Sequence, residues 1–217
     1  MCLTGNLLNT GLFYAGTDAT FALDGDFTNT NADILAESNL VIQGLTGLAS
    51  GDLTNTSATI QAIAGNLTIN SASITNERPA PAITVEQVSQ TSSTSGTRGR
   101  GSVGTTNVFR TYTTTVTQEV ATMTGRDGRI LSGGDMSLTT GDLVNSYSQI
   151  AANGDMTIDA ASVVNEARDL IETTTNDIQE EKWRRYCKIK IFGKCIDSKT
   201  VYSTSTSTTS SSRTYDA

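Results

Sequence analysis

Apolar residues recur along much of the chain at a fixed stride. Leu53, Ile60, Leu67 and Ile74 each lie seven residues after the last, and each has a second inward candidate two positions on: Asn55, Ala62, Ile69 and Asn76. Two inward side chains separated by one outward one describe a short strand of period two. Three such strands with their corners make a coil of about 20–21 residues, so the pattern predicts an all-β stack of parallel coils. Leu143, Ile150, Met156 and Val163 repeat the scheme with one step shortened to six, and all eight anchors are expected inside. A stride of seven also marks coiled-coil helices. Here Asp-Gly, Asn-Gly-Asp and Gly-Gly punctuate the pattern, β-branched residues dominate and no flanking charge pairs accompany it, so strands are predicted instead.

The polar positions repeat as faithfully. Gly5-Asn6-Leu7-Leu8-Asn9-Thr10 returns as Gly25-Asp26-Phe27-Thr28-Asn29-Thr30, as Gly51-Asp52-Leu53-Thr54-Asn55-Thr56 and as Gly141-Asp142-Leu143-Val144-Asn145-Ser146. The thirteen residues Gly65–Glu77 match Gly154–Glu166 position by position. Asn9, Asn29, Asn55, Asn76, Asn145 and Asn165 therefore fall at one corner of successive coils. An inward amide there both donates and accepts, and so forms a ladder that satisfies the turn backbone. This repeat accounts for the asparagines without a bound ligand.

The pattern breaks twice, each time after an Asn-Glu pair. It divides the chain into coils over 1–78, an excursion over 79–127, resumed coils over 128–166 and a second excursion over 167–217. If the register holds, the excursions leave from one edge, one coil apart. The first opens on Pro79-Ala80-Pro81, which ends ladder pairing. It reads as a long hairpin with a flexible tip from Thr91 to Thr106 bearing Arg98 and Arg100. The second holds Ile171–Lys182, then Trp183-Arg184-Arg185-Tyr186-Cys187-Lys188-Ile189-Lys190-Ile191-Phe192-Gly193-Lys194-Cys195, and a return strand over Val201–Thr206. Its Thr-rich outgoing strand suits a shared sheet with Tyr112–Thr117 of the first. Lys188 and Lys190 alternate with Ile189 and Ile191, which predicts one charged and one apolar face, and Phe192-Gly193-Lys194 reads as a turn.

Composition sharpens this picture. Charged residues make up 17% and aromatics 6%, against a usual charged share of about 25%. Thr, Ser, Asn, Gly and Ala fill the gap, which suits short strands and tight turns. The net charge is −7, and residues 1–77 carry seven acids but no Lys or Arg. An acidic body argues against nucleic-acid binding. No apolar run approaches the roughly 20 residues that span a membrane, and no signal peptide opens the chain, so both ends read as cut points of a longer protein. A β-helix enzyme such as a polysaccharide lyase needs converging carboxylates and a strong base, whereas Asp26, Asp52, Asp135, Asp142 and Asp155 sit beside glycines at turns. No enzymatic activity, metal or cofactor is expected.

The Gly-Asn/Asp-Leu-x-Asn phrase, the Gly-Asp-Met/Leu-x-Ile phrase and the Asn corner resemble haemagglutinin repeats of two-partner-secreted exoproteins, the filamentous haemagglutinins of Gram-negative bacteria. The resemblance covers 3–77 and 128–166 and implies a right-handed parallel β-helix with two extra-helical β-hairpin excursions. The Asn-Glu-x-Arg exit, Trp-Arg-Arg-Tyr-Cys, the Phe-Gly turn and Tyr-Ser-Thr-Ser-Thr resemble contact-dependent growth inhibition effectors. That likeness implies an extracellular, monomeric receptor-binding fragment at the surface of a Gram-negative bacterium. Its partner would be an outer-membrane protein of a target cell, of β-barrel type, with no insertion of this fragment into the membrane. The implied contact residues are Trp183, Arg184, Arg185, Tyr186, Lys188, Lys190, Phe192 and Lys194. A generic adhesin segment that binds glycan or host protein is the alternative, and lysines that merely keep an exposed hairpin soluble stand beside recognition. In an extracellular setting Cys187 and Cys195 favour a disulfide, stabilising the tip by about 2.5 kcal/mol. Metal or redox roles lack further ligands and a Cys-x-x-Cys spacing, and Cys2 is left over.

Overall fold

The computed structural model describes residues 1–215, and these form strands without a helix. The first coil carries β1 (Cys2–Leu3), β2 (Leu7–Asn9) and β3 (Leu12–Ala15); the second β4 (Ala19–Leu23), β5 (Phe27–Thr30) and β6 (Asp33–Ala36). The third carries β7 (Leu40–Gln43), β8 (Leu53–Thr56) and β9 (Thr59–Ala62). In the fourth, β10 (Leu67–Glu77) bends round two faces, and the chain departs into β11 (Ala82–Gly96) and β12 (Thr106–Thr122) before β13 (Arg129–Ser132) closes the coil. The fifth coil has β14 (Met136–Ser146) and β15 (Gln149–Ala152), and the sixth begins with β16 (Met156–Glu166). Departure from that strand gives β17 (Leu170–Ile191) and β18 (Lys194–Tyr215). The chain resolves into two units, Met1–Ala82 with Thr122–Arg168, and Ile83–Ala121 with the chain from Asp169 onward.

The first unit is a parallel β-helix. Every ladder in it is parallel, and the register stacks like on like: Leu40, Leu67, Met136 and Met156 on one face, Ile34, Ile60, Ile130 and Ile150 on another. Parallel strands that bury one side chain in two explain why one anchor per strand suffices. Leu53, Ile60, Leu67, Ile69 and Ile74 are fully buried. Met156 and Val163 depart from expectation, being 42% and 57% exposed. They keep the register of Met136 and Leu143, but among the described residues no further coil stacks on the sixth. Ile150 is half-buried because β15 likewise ends its sheet.

The asparagines form a continuous amide ladder. Asn9 donates to Asn29 Oδ1 at 2.9 Å, Asn29 to Asn55 at 2.8 Å, Asn55 to Asn76 at 2.7 Å, Asn76 to Asn145 at 2.8 Å and Asn145 to Asn165 at 2.8 Å. Asn9, Asn55, Asn76 and Asn145 also bridge their own corners, as Asn55 does to the Ala58 carbonyl at 2.8 Å and Asn145 to that of Ser148 at 2.8 Å, while Asn29 reaches the Thr59 carbonyl of the next coil at 3.1 Å. The corner is a two-residue turn whose first residue is left-handed at Asn31, Ser57 and Tyr147, each with φ of 50°. Burial ends at the last rung, where Asn165 is exposed.

The Gly-Asx phrase has a separate cause that the sequence does not reveal. In one file Asn6 accepts the backbone N–H of Asp26 at 3.0 Å and Asp26 that of Asp52 at 3.1 Å, while Asp52 and Asp142 accept the hydroxyls of Ser73 and Ser162 one coil on. A second file runs through Asp18, Asn39, Asn66, Asp135 and Asp155. A Cβ on Gly25, Gly51, Gly65, Gly134 or Gly154 would stand 2.2–2.7 Å from that side-chain oxygen. At these five positions glycine leaves room for that oxygen, whereas Asn39 makes the same bond to Asp18 at 2.9 Å with Ser38 before it.

The first excursion is inserted inside the two-residue turn, since Arg129 pairs with Thr59 and Glu77 with Thr56. Asn76 still reaches the carbonyl of Gly128 at 3.2 Å, fifty-two residues on. Arg78 holds the carbonyl of Gly125 at 2.8 Å, and Arg126 donates to those of Ala32 and Ser57 at 2.6 Å each while pairing with Asp33 at 2.8 Å. Arg126 therefore belongs to the coils rather than to the excursion. The two exits are also two coils apart, not one, because Glu77 pairs with Ser146 and Ser146 with Glu166.

Two stability measurements follow. Asn55→Ala should cost about 1–3 kcal/mol in urea unfolding, since it leaves the buried Asn76 Oδ1 without its donor and takes one of two partners from Asn29 and from the Ala58 carbonyl, while Asn165→Ala should cost under about 1 kcal/mol. A chain ending at Arg168, with Ile83–Ala121 replaced by a short turn, should keep the far-ultraviolet signature and unfolding midpoint of the coils. Adding Arg126→Ala to it should lower stability by about 1–3 kcal/mol.

Candidate functional site

The two excursions build one antiparallel sheet in the order β11-β12-β17-β18. Register runs unbroken from Thr106 opposite Arg184 to Gln118 opposite Glu172, so the Thr-rich segments of both excursions lie side by side. Thr and β-branched residues sustain these strands because both faces are pleated surface with little core behind them. The stretch from Thr91 to Gly96, expected as a flexible tip, is strand and extends β11. The remaining tip packs along β17, with the Gly104 N–H donating to the Arg185 carbonyl at 2.9 Å and the Arg185 N–H to that of Thr105 at 3.2 Å.

The segment Trp183–Lys194 is not one surface. Strand alternation sends its residues to opposite faces of the sheet. On one face Trp183 stands opposite Tyr202, ring centroids 5.2 Å apart. On that face Glu181 receives both Nε and Nη2 of Arg98, at 3.1 and 3.2 Å, and the guanidinium lies 4.4 Å over the Phe109 ring. Arg185 donates to Ser198 Oγ at 3.0 Å. On the other face Arg184 and Tyr186 stand exposed beside Lys182, Val201, Ser203 and Thr106, around an open groove of 660 Å³.

Nearer the apex the alternation fails. Register shifts between Cys187 and Ile189 and again before Lys190 break it, and Ile189 and Ile191 are both exposed. The charged and apolar faces expected from Lys188, Lys190, Ile189 and Ile191 are therefore absent. Lys188 stands 3.9 Å from Asp197, and Lys190 and Lys194 are exposed. Cys187 and Cys195 are bonded across the hairpin, and Cys2 is free and exposed. The turn is Phe192-Gly193, with φ of 46° and 77°. Both central residues are left-handed, as in a type I′ hairpin. Phe192 is 101% exposed.

Residues outside the expected set complete the site. Lys182, Lys199, Val201 and Ser203 join the groove face, and Arg98, Phe109, Arg110 and Tyr202 shape the sheet. The period-two run Lys182, Arg184, Tyr186 was legible in the sequence; cross-strand neighbours were not. Glu180 is clasped by Arg110 at 2.6 Å and by Lys182. The Lys182 hydrogen bond, then that of Arg110, holds the Glu180 carboxyl below its ordinary range. Arg213 does the same for Glu172 at 2.7 Å. Among the described residues no group of acidic, Cys or His side chains could hold a metal ion.

An all-β chain of parallel coils with an extruded antiparallel sheet is the class these observations define. The chain is homologous to CdiA proteins. It is 28% identical over 207 residues to the toxin CdiA of Escherichia coli, across 85% of this chain and 6% of that protein. It is 36% identical over 88 residues to the 16S rRNA endonuclease CdiA of Enterobacter cloacae subsp. cloacae, across 40% of this chain and 3% of that protein. The chain thus spans a small fraction of the length of these relatives. No family model and no solved structure matches it. Similarity to CdiA proteins agrees with the resemblance to growth inhibition effectors read from the second excursion.

The clasped carboxylates give the sheet a pH dependence of known sign. Their folded pKa values lie below the unfolded ones, so the stabilisation is present above the ordinary carboxylate range and is lost as pH falls through the depressed folded values. Protection factors of the β12 and β17 amides, which take out the intrinsic slowing of exchange in acid, should fall modestly on acidification through that window, and less so in Glu180→Gln, whose protection is already lower at neutral pH.

Proposed function

We propose that this chain is a receptor-binding segment of a contact-dependent growth inhibition effector. It is carried outside a Gram-negative cell and recognises an outer-membrane protein, of β-barrel type, on a target bacterium. The observation that carries the reading is Phe192. A type I′ turn favours Asn, Asp or Gly at its first central position. A bulky residue there costs about 1–2 kcal/mol in the left-handed region, and this one gains no burial in return. Strain retained at an exposed aromatic is a mark of a contact residue. The disulfide closes eight residues around that apex, so the tip is held in its shape before binding and loses less entropy on contact. Homology to CdiA supports the effector assignment, and the acidic coils serve as its scaffold.

The test is binding of the purified chain to intact Escherichia coli cells and to purified outer-membrane proteins. Phe192→Ala should weaken binding by about 2 kcal/mol or more, and Trp183→Ala should do so if its exposed edge shares the contact. Reduction of the Cys187–Cys195 bond should weaken binding while the coils stay folded. Variants that bind as the parent does would place the contact elsewhere.

A further inference from the structure

The two faces of the sheet differ in how their charges are satisfied. On the Trp183 face the bidentate Arg98–Glu181 pair uses both partners internally. On the opposite face Arg110 and Lys182 share the single carboxylate of Glu180. Arg184 and Lys199 have no ion-pair partner among the described residues. Thr106, Arg184 and Val201 sit abreast on β12, β17 and β18, with Lys182 opposite Ser203 and Tyr186 opposite Lys199 in the neighbouring rows. The floor of the resulting groove is Val201, the Tyr186 ring and the aliphatic stems of Lys182 and Arg184, and its rim is cationic.

We infer that this groove binds an acidic polypeptide segment in which a carboxylate side chain stands next to an apolar one. The inference rests on the recognition reading above and assigns its partner chemistry and its face. The groove is lined by Lys182 and Arg184, and on the same face Arg110 and Lys199 flank it against the one carboxylate of Glu180, so the surface is positive and draws an anionic partner. The free Arg184 guanidinium presents the planar fork that pairs a carboxylate through two parallel bonds. Val201 and Tyr186 add apolar contact beside it. Val201 and Ser203 also belong to β18, the outermost strand of the sheet, whose outer edge is unpaired among the described residues. A peptide chain can therefore extend from the groove onto main-chain hydrogen bonds of that edge, which an anionic sugar cannot.

The test compares the parent chain with R184E/K199E, with the milder R184Q/K199Q and with Arg100→Glu, a reversal of the same sign at an exposed cation outside the groove and the contact segment. Circular dichroism checks that each is folded, and the probes are intact and proteinase-shaved Escherichia coli cells. The double reversal should weaken binding by about tenfold or more, the glutamine pair by less, and Arg100→Glu by under about threefold, with the parent's binding falling steeply as salt rises. Shaving should abolish binding of the parent. Normal binding of R184E/K199E alongside loss in Phe192→Ala would overturn the groove assignment and leave the recognition reading standing. Binding that survives shaving but not charge reversal would overturn the peptide assignment in favour of an anionic glycan. Failure of the parent to bind cells at all would remove the recognition reading and this inference with it.

Discussion

One inward-facing amide per coil governs this molecule. In each coil an inward asparagine must satisfy a corner whose backbone is turned away from its ladder, and the amide can do so because it both donates and accepts. Stacked at the coil spacing, these amides pair with one another, so that satisfying one corner fixes the register of the next. The apolar files follow from that register. Leu stacks on Leu and Ile on Ile because the corner admits no slip of one residue, which would turn every core side chain outward.

The same corner explains how the fold carries long insertions. A two-residue turn already closed by an asparagine side chain does not depend on the residues between its ends. Asn76 bridges its corner to Gly128 as Asn55 bridges to Ala58, and Arg78 and Arg126 clamp the base of the inserted segment to coil carbonyls. Sequence is therefore free to change in the excursions while the coils stay constant in pattern. Recognition and scaffold become separable demands on one chain, as in other solenoids.

Within the sheet, pairing decides which charges remain available. The basic segment looks uniform when read along the chain. Once its residues alternate across β17, Glu181 and Glu180 face opposite sides, and each draws a different set of cations. Arg98, brought from the other excursion, is spent on Glu181 and Phe109. Arg184 and Lys199 keep their charge for a partner. Near the apex, bulges and a type I′ turn expose Ile189, Ile191 and Phe192 together around the Cys187–Cys195 bond. In the recognition we propose, apolar residues gathered at a stapled apex and unpaired cations on one flank would complement each other, since the first gains from desolvation and the second orients the approach.

The coil period, the inward positions of Leu53 to Ile74, the Asn corner and the points of departure were all legible in the sequence. Each rests on side-chain alternation and repetition, which are properties of neighbours along the chain. The meaning of the Gly-Asx phrase was not, because the clash that demands glycine comes from an oxygen one coil away. Nor was the exposure of Met156 and Val163, which obey the pattern but have no further coil stacked on theirs among the described residues. The ownership of Arg126, the spacing of the two exits and the division of the basic segment into two faces likewise required contacts between residues far apart in sequence. Periodicity reports which way a side chain points. What it meets there is set by segments that only the tertiary structure brings alongside.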